Sequence, residues 1–500
     1  MDKLDYSLIA EPSRTIPVVA SPDVCVIGSG PAGIGAAIAA ARTGAKTMIV
    51  ERYGFVGGNL TIAMVSPMFT FHDIHGRQVI QGIAGEFANR LVQQGSSFGH
   101  VTDLTFDNPA MMPYDPEGTK VLLFEMLEEA GVDILLHAMV TGVQREGRNI
   151  KAVIIESKSG RQAICPKYII DCSADADVIK RAGGKTVKGR ESDGIMQPAT
   201  LYFRIGNVNN DNLRNWMKQN RALLKDSPTD EEIDQQRLIA FLGMNDLVKK
   251  AMENGELDSE VAPRILMYQL PLPGQFSVNS TRLQGIDGTN VRDLTRAEIA
   301  LRKQAKQVHR FLKKYVGGFE DSIIIDSGVQ VGIRETRRII GEYTMTEEDV
   351  LNSTAFFDGI SCGTFAIDVH PPEGGQQIFT GSGKAVYEIP YRSTIPKEFN
   401  NVLVAGRCIS ATHTAVGSTR VMATCMGIGQ GAGTAMALAL KKNLNVREVD
   451  TKLLRKTLID QGQYLLNENI DEKIDQSLVL NRGDSDGKKA SHFNPFKSKS

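Results

Sequence analysis

Three glycines near the N-terminus have the spacing of a phosphate-binding turn. Gly28, Gly30 and Gly33 form a GxGxxG pattern, GSGPAG, which also contains Ala32. Gly28 allows a tight turn, Gly30 lets a diphosphate approach the backbone, and Gly33 lets a helix pack closely. The free N–H groups at the start of that helix, together with its dipole, would bind the phosphates.

The segments around the glycines are the elements that such a turn requires. Apolar runs at 24–27 and 47–50 predict buried strands, and the Ala-rich segment 34–42 predicts a helix between them. Glu51 follows the second strand, about 20 residues beyond the glycines, where a carboxylate can accept ribose hydroxyls. This complete unit predicts a dinucleotide site, with NAD and FAD both open as ligands.

The residues after Glu51 favour FAD. Arg52 is followed by the pair Gly57 and Gly58 and then by Asn59, an unusual glycine pair just after an acidic strand end. Such a loop is suited to lie along the flavin part of FAD. The apolar segment 61–73 could then bring His72 or Asp73 near a substrate, although a buried loop with a capping Asp explains it better.

The composition of the chain argues against nucleic acid, membranes and metal ions as partners. Hydrophobic residues make up 42% and charged residues 23%, with a net charge of −1, so neither nucleic acid nor an anionic membrane is an expected partner. No apolar run reaches the roughly 18 residues of a membrane span, and the N-terminus lacks a signal peptide, so a cytoplasmic location is expected. The six cysteines match no metal-binding spacing, so no metal is expected.

The middle of the chain changes in character. Strand-like pieces between residues 190 and 385 alternate with long polar segments, of which 230–254 and 294–315 are predicted helices. This alternation predicts a separate substrate lobe. Within it, the stretch 332–338, GIRETRR, packs many charges beside apolar segments, and Arg337 is a candidate for binding substrate oxygens. Structural ion pairing explains the same charges equally well.

Two further segments can contact a dinucleotide. Val140 ends the first predicted strand of a hairpin region, and the small acidic turn 171–177 either touches the ligand or caps a helix through Asp175 or Asp177. After a short strand and Gly406, the segment 420–440 predicts a long helix whose glycines permit close packing. The start of that helix at Val421 and Met422 could direct its dipole toward a flavin.

Three segments together carry a family resemblance. They are GGNLT at 57–61, GIRETRRIIGEY at 332–343 and LVAGRCISATH…GSTRVMATCMGIGQGAG at 403–433. With them, residues 20–440 resemble a bacterial FAD-dependent oxidoreductase family that is distantly similar to the flavoproteins of fumarate reductase and succinate dehydrogenase.

The resemblance implies an α/β fold. It consists of a Rossmann-like, glutathione-reductase-type FAD-binding domain that is split in sequence, with an inserted α+β substrate domain. The expected division is an N-terminal arm at 1–20, the FAD-binding domain at 21–189 and 386–445, the substrate or cap domain at 190–385, a helical segment at 446–480 and a disordered tail at 481–500.

The resemblance also implies roles for individual residues. The expected FAD contacts are Gly28, Gly30, Ala32, Gly33, Glu51, Arg52, Gly58, Asn59, Val140, Gly406, Val421 and Met422. In the fumarate reductase relatives, a segment similar to 405–420 brings a His and an Arg to the substrate, which makes His413 and Arg420 the catalytic candidates beside Arg337. The spacing between His413 and Arg420 differs from those relatives.

These observations predict an FAD enzyme that passes a hydride between the flavin and a small organic substrate. Arg420 and Arg337 would anchor or polarise oxygens, and His413 would act as acid or base because its ordinary pKa lies near neutrality. Reduction of an activated C=C bond and oxidation of an alcohol or C–H bond both fit, with NAD(P)H or a redox protein as second partner. A flavin electron-transfer subunit and a flavoprotein with structural FAD are the alternatives.

Overall fold

The structure is a computed structural model that describes residues 9–103, 105–106, 108–371, 378–380 and 386–466. The first eight residues of the expected N-terminal arm lie outside the described residues. So do residues 467–480 of the expected C-terminal helical segment and the whole of the expected disordered tail at 481–500.

The described part of the chain contains twelve α-helices, numbered in chain order. They are α1 Pro31–Arg42, α2 Gly82–Gln93, α3 Pro116–Glu129, α4 Asp177–Arg181, α5 Asn210–Gln219, α6 Asp230–Gln235, α7 Asn245–Glu253, α8 Val291–Tyr315, α9 Glu347–Leu351, α10 His413–Thr419, α11 Met422–Lys442 and α12 Thr451–Asp460. Within the described ranges, no helix has both the length and the apolar character that crossing a membrane requires.

The same residues form 22 strands. They are β1 Val18–Ala20, β2 Val24–Ile27, β3 Thr47–Val50, β4 Met68–Phe69, β5 Met111–Met112, β6 Asp133–Leu135, β7 Met139–Glu146, β8 Asn149–Ser157, β9 Gly160–Ile164, β10 Tyr168–Asp171, β11 Thr186–Lys188, β12 Phe203–Gly206, β13 Ala240–Gly243, β14 Ile265–Gln269, β15 Phe276–Val278, β16 Ile323–Ser327, β17 Arg337–Ile339, β18 Gly359–Gly363, β19 Ile367–Val369, β20 Ile378–Thr380, β21 Tyr387–Pro390 and β22 Val402–Val404.

A five-stranded parallel sheet with the order β22-β10-β2-β3-β6 carries the glycine turn. Four of its strands, β2, β3, β10 and β22, are short, mainly apolar runs that are buried on both faces, as parallel strands usually are. β22 joins this sheet from beyond the middle region, so segments on both sides of residues 190–385 build one sheet. The ends of β2, β3, β10 and β22 therefore meet at a single edge.

The two faces of the parallel sheet pack against different layers. Val24, Val26 and Leu403 face the cluster that contains α1 and α11, whereas Cys25 and Ile27 face a cluster that contains β7 and β8. β7 and β8 belong to a second sheet with the order β1-β9-β8-β7. The strand period of two residues thus assigns alternate side chains to a helical layer and to an antiparallel layer.

α1 and α11 pack backbone to backbone because small residues face each other. A Cβ atom added at Gly429 would lie 1.9 Å from the carbonyl oxygen of Ala32, and one added at Gly433 would lie 2.2 Å from that of Ala36. From the other helix, a Cβ at Gly35 would lie 2.2 Å from the carbonyl oxygen of Met426. The prediction that the glycines of 427–433 permit close helix packing is confirmed.

The middle region has its own sheet and core. An antiparallel sheet with the order β13-β14-β15-β12-β16 packs with the long helix α8. Buried side chains between the sheet and α8, among them Phe203, Phe276 and Leu301, belong to a hydrophobic cluster separate from those around the parallel sheet.

The predicted single helix over 230–254 is wrong. The structure has the short helices α6 and α7, with strand β13 between them. The apolar residues of β13 pair with β14, from Ala240 opposite Tyr268 to Gly243 opposite Ile265. Tertiary strand pairing therefore overrides the helical propensity of the flanking residues. Val140 likewise is the second residue of the long strand β7 rather than the end of a strand.

We expect Gly429→Ala to destabilise the protein by about 1–3 kcal/mol, because the added methyl group would clash with the Ala32 carbonyl and push α1 away from α11. Gly85→Ala in α2 is the matched control, since its Cβ would meet only the Gln78 side chain at 3.4 Å. Chemical denaturation of both variants checks this expectation. Equal stability of the two variants would show that the α1–α11 contact is not tight.

Candidate functional site

A cavity lies at the carboxyl edge of the parallel sheet. Its floor includes Ile27 and Val50, which end β2 and β3, and Cys172 and Ala405, which follow β10 and β22. Ligands of open α/β sheets bind at this edge. The cavity therefore lies where a dinucleotide is expected to bind.

The glycine turn faces this cavity. Gly28 has φ of +94°, and an added Cβ would lie 2.6 Å from the Cys172 carbonyl oxygen. At Gly33 a Cβ would lie 1.9 Å from the carbonyl oxygen of Gly28, so α1 packs directly on the turn. A Cβ at Gly30, in contrast, would meet no protein atom within 4 Å. Packing thus explains Gly28 and Gly33, whereas Gly30 leaves open space beside the first N–H groups of α1.

Glu51 ties the glycine turn to β3. Its carboxylate accepts hydrogen bonds from the Ser29 backbone N–H at 2.9 Å, from the Ser29 hydroxyl at 2.6 Å and from the Tyr53 N–H at 3.1 Å. A carboxylate has about four lone-pair sites, so one remains for a further donor. Glu51 lines the cavity, and its side chain is buried.

Residues from both regions of the chain meet beyond Glu51. The Arg52 guanidinium donates to the Gln330 side-chain oxygen at 2.5 Å, and the Tyr53 hydroxyl donates to the same oxygen. Gln330 belongs to the middle region, and all three residues line the cavity. The middle region therefore forms one wall of the cavity beside Glu51.

The remaining predicted cofactor residues surround the same space. A Cβ at Gly58 would lie 2.6 Å from the Cα atom of Gly30, so the 57–59 loop lies against the glycine turn. Of the twelve predicted residues, the structure places ten on the cavity wall: Gly28, Gly30, Ala32, Glu51, Arg52, Gly58, Asn59, Val140, Gly406 and Met422. Gly33 lies behind the turn, and Val421 is the N-cap residue of α11.

Asp171 shapes the turn that follows β10. Its buried carboxylate accepts hydrogen bonds from Ser173 and from the N–H groups of Val178 and Ile179 at the start of α4. Burial raises the pKa of Asp171 to about 6, against the opposing effect of these hydrogen bonds. Asp171, rather than Asp175 or Asp177, therefore caps α4, because the end of β10 points directly at its first turn.

Arg337 supports this turn from outside the cavity lining. Its Nε donates to the Asp175 carbonyl at 2.7 Å, and its Nη2 pairs with the Asp177 carboxylate. Arg407 holds the same turn from the cavity side through the Ala174 carbonyl at 2.9 Å and the Asp175 carboxylate at 2.5 Å. Arg337 thus binds Asp175 and Asp177, which line the cavity, but does not line the cavity itself.

Arg420 lies on the cavity wall at the junction of α10 and α11. Its Nη2 lies 3.2 Å from both the carbonyl and the carboxylate of Asp368, and its buried Nε has no partner among the described residues. Burial lowers the pKa of Arg334 to about 10, and the positive charge of the nearby Arg420 contributes to this decrease. The structure therefore brings Arg420 together with Arg334 rather than with Arg337.

His413 is buried away from the cavity lining. Its Nδ1 lies 2.8 Å from the Glu335 carboxylate, which also pairs with the buried Arg338. Its backbone N–H donates to Glu191 at 2.9 Å. The position of His413 at the first turn of α10 directs it to this cluster, whereas Arg420 at the other end of α10 reaches the cavity.

His72 and Asp73 also lie apart from the cavity lining. The His72 ring packs edge to face on His100 at a centroid distance of 4.6 Å, and Asp73 forms an ion pair with Arg77 at 2.9 Å. The Nδ1 atoms of both histidines are buried without a partner among the described residues. Burial holds the pKa of His72 well below its ordinary value and lowers that of His100 to about 4.

Sequence reasoning missed the side chains that surround Arg420. Arg334, Asp368, His370 and Tyr202 come from segments that are distant in sequence, so no local pattern joins them. The only available signal was the GIRETRR stretch, which contains Arg334 beside the chosen Arg337. Within the described ranges, no group of three His, Cys, Asp or Glu side chains could hold a metal ion.

Comparison with known proteins gives one family. The family model described as "FAD dependent oxidoreductase" matches residues 23–458, so the chain belongs to that family. The protein is accordingly an FAD-dependent oxidoreductase enzyme. No curated protein matches the chain.

The comparison with solved structures gives remote similarities. A geranylgeranyl bacteriochlorophyll reductase-like protein from Thermoplasma acidophilum is 14% identical, with 89% of this chain and 84% of that chain covered and a TM-score of 0.44. The p-nitrophenol 4-monooxygenase from Pseudomonas putida DLL-E4 is 10% identical, with 88% and 84% covered and a TM-score of 0.43. At these identities and TM-scores, the activities of these proteins are not transferred to this chain.

The cavity fits the cofactor of the family. Space for a diphosphate is open at Gly30, and one acceptor site is left on Glu51. Both observations are independent of the family match, and neither conflicts with FAD.

We expect the protein to lose stability through His100 as the pH falls. An unfolded histidine has a pKa of about 6.5, whereas folding lowers that of His100 to about 4. Between these values the unfolded state binds more protons, so the free energy of unfolding decreases as the pH falls from about 6.5 toward 4. At about pH 5 this contribution is at most about 2 kcal/mol.

The variant His100→Phe should lack this contribution, so its stability should fall less than that of the wild type between about pH 7 and pH 5. Denaturation at several pH values measures the difference, and His75→Gln at an exposed histidine is the control. Parallel pH profiles of the wild type and His100→Phe would contradict the expectation.

Proposed function

We propose that the cavity binds FAD with its diphosphate at Gly30, its adenosine ribose at Glu51 and its ring system toward Arg420 and Met422. The support is the open space at Gly30 together with the ten predicted cofactor residues on the cavity wall. Gly33 and Val421 contribute from the starts of α1 and α11.

We also propose that the chain is divided as the resemblance implies. The FAD-binding domain would comprise 21–189 and 386–445 in a split, glutathione-reductase-type arrangement, and the substrate domain would comprise 190–385. In support, the parallel sheet combines strands from both flanks, and the middle region has a separate sheet and hydrophobic cluster. Gln330 and Arg334 would then bring the substrate domain to the cofactor.

The reaction that this arrangement favours is hydride transfer between the flavin and a small organic substrate. Bound FAD supplies a two-electron acceptor or donor of hydride. Arg420 carries the proposal, because this cation lines the same cavity as the glycine turn. Its guanidinium would hold a substrate oxygen and stabilise negative charge that develops there.

The other two catalytic candidates receive different roles. Arg337 positions the turn at 175–177, since its contacts are with Asp175 and Asp177. His413 anchors the start of α10 through Glu335 and Glu191, and α10 ends at Arg420. Both residues would therefore act on the reaction through the groups that they hold in place.

An anaerobic titration tests the redox role. FAD-loaded protein should lose its visible flavin bands on addition of NADH or NADPH, or of one compound from a panel of alcohols, sugars and hydroxy acids. Arg420→Ala should keep the bound flavin but react at least about a hundredfold more slowly with that compound. Flavin that no donor reduces would support a structural role for FAD, and reduction only by a redox protein would support an electron-transfer subunit.

We expect Gly30→Val to fold without retaining flavin. The backbone of Gly30 has φ of −64°, which any residue adopts, and its side-chain position is open, so the variant has no reason to unfold. The valine would instead occupy the proposed diphosphate site. Flavin content per protein should fall at least about tenfold, while circular dichroism remains that of the cofactor-free wild type. Full flavin content would refute the assignment.

A further inference from the structure

A surplus of hydrogen-bond donors surrounds Arg420. The Arg420 Nε and the Gln197 Nε2 are both buried without a partner among the described residues. Arg334 donates one hydrogen bond, from Nη1 to the Pro198 carbonyl at 2.6 Å, out of the five N–H donors that a guanidinium carries. The Gln197 oxygen is already occupied by the His370 N–H at 3.2 Å. The unsatisfied groups of these three residues are therefore donors.

Positive charge is also in excess at this place. Asp368 lies 3.2 Å from Arg420, and its negative charge also raises the pKa values of Arg334 and Arg264 against the effect of burial. Within the described residues, Arg334 forms no ion pair of its own. Burial and the charge of Arg334 lower the pKa of His370 to about 4, so His370 is neutral near pH 7. Among the described residues, the Asp368 carboxylate is thus shared by the guanidinium groups of Arg420 and Arg334.

A half-buried charge without a counter-charge is costly, so an arrangement of this kind needs a partner. Carboxylates and phosphates accept hydrogen bonds without donating any, and arginine binds them in a two-pronged geometry. A neutral ketone or sugar would leave the charge of Arg334 uncompensated. The Tyr202 hydroxyl, whose pKa is raised to about 12, stays protonated near these arginines and adds a neutral donor.

We propose that Arg334 and Arg420 together bind the carboxylate of an organic acid, which makes the substrate of this enzyme a small carboxylic acid. The inference rests on the proposed function, because it identifies the substrate class at the Arg420 wall of the same cavity. Arg334 lies beside Arg420, outside the cavity lining itself. Gln197 would donate an additional hydrogen bond to the carboxylate, and Asp368 would keep Arg420 oriented toward it. Arg334 is thereby a substrate-binding residue that comes from the middle region.

Binding to the FAD-loaded full chain tests the proposal. The probes are acetate, lactate, malonate, succinate and benzoate, each compared with its neutral amide, with changes in the flavin spectrum and calorimetry as readouts. At least one acid should bind at least about tenfold more tightly than its amide. Arg334→Gln and Arg420→Gln should each reduce that preference to less than about threefold.

Arg214→Gln is the matched control. Arg214 also donates to backbone carbonyls, those of Ile233 and Gln236, but the charges that act on its pKa are those of Asp234 and Asp211 rather than those around Arg420. This variant should keep the wild-type preference for the acid. Arg334→Lys retains the charge without the planar fork, so it should fold even where Arg334→Gln does not and should show an intermediate preference.

The inference is overturned if no acid binds better than its amide, or if the preference survives in both Arg334→Gln and Arg420→Gln. These results are separable from failure of the proposed function. Flavin that is bound and reduced while acids and amides bind alike rejects only the carboxylate site. Protein that binds no flavin, or flavin that no donor reduces, rejects the proposed function itself.

Discussion

The direct contact between the backbones of α1 and α11 is the constraint on which the cavity depends. Gly429 and Gly433 lie on the carbonyl groups of Ala32 and Ala36, leaving no room for a side chain between the helices. Both helices begin at the cavity, α1 just after Gly30 and α11 at Met422. Their contact therefore sets the distance between the glycine turn and the wall that contains Arg420, and small shifts would forfeit much of the packing energy.

Buried carboxylates hold the loops around this helix pair. Glu51 binds the glycine turn, Asp171 binds the turn before α4, and Glu335 binds His413 and Arg338. Each of them gathers several donors from backbone or side chains, so the cost of burying its charge is offset by hydrogen bonds. The loops keep their shape for this reason, although they lack regular secondary structure.

The GIRETRR stretch connects the regions of the site. Arg334 faces Pro198 and the charge of Arg420, whereas Glu335 faces His413 and Arg338. Thr336 and Arg337 contact the turn at Asp175. One short segment of the middle region thus reaches the proposed substrate position, the start of α10 and the cofactor wall.

The sequence alone determined the local part of this protein. The strand, glycine turn, helix, strand and Glu51 are neighbours along the chain, so periodicity and spacing were enough to predict them and the dinucleotide chemistry that they serve. The role of the glycines in α11 was also predictable. Since no strand precedes them, they do not form a second nucleotide-binding turn, and close helix packing is the remaining explanation. The assumption of one helix at 230–254 failed because β13 is stabilised by its pairing with β14.

Only the tertiary structure decided which charged residues share the cavity. Arg334 and Arg337 stand in the same stretch, and His413 and Arg420 stand at the two ends of one short helix. Spacing cannot assign them, because a side chain's surroundings depend on segments far away in sequence, such as Gln197 and Asp368. The burial of each charged group then determines the free energy that its desolvation costs and whether it needs a counter-charge or hydrogen bonds. Long-range contacts, rather than any local pattern, therefore place Arg420 on the cavity wall and Arg334 beside it.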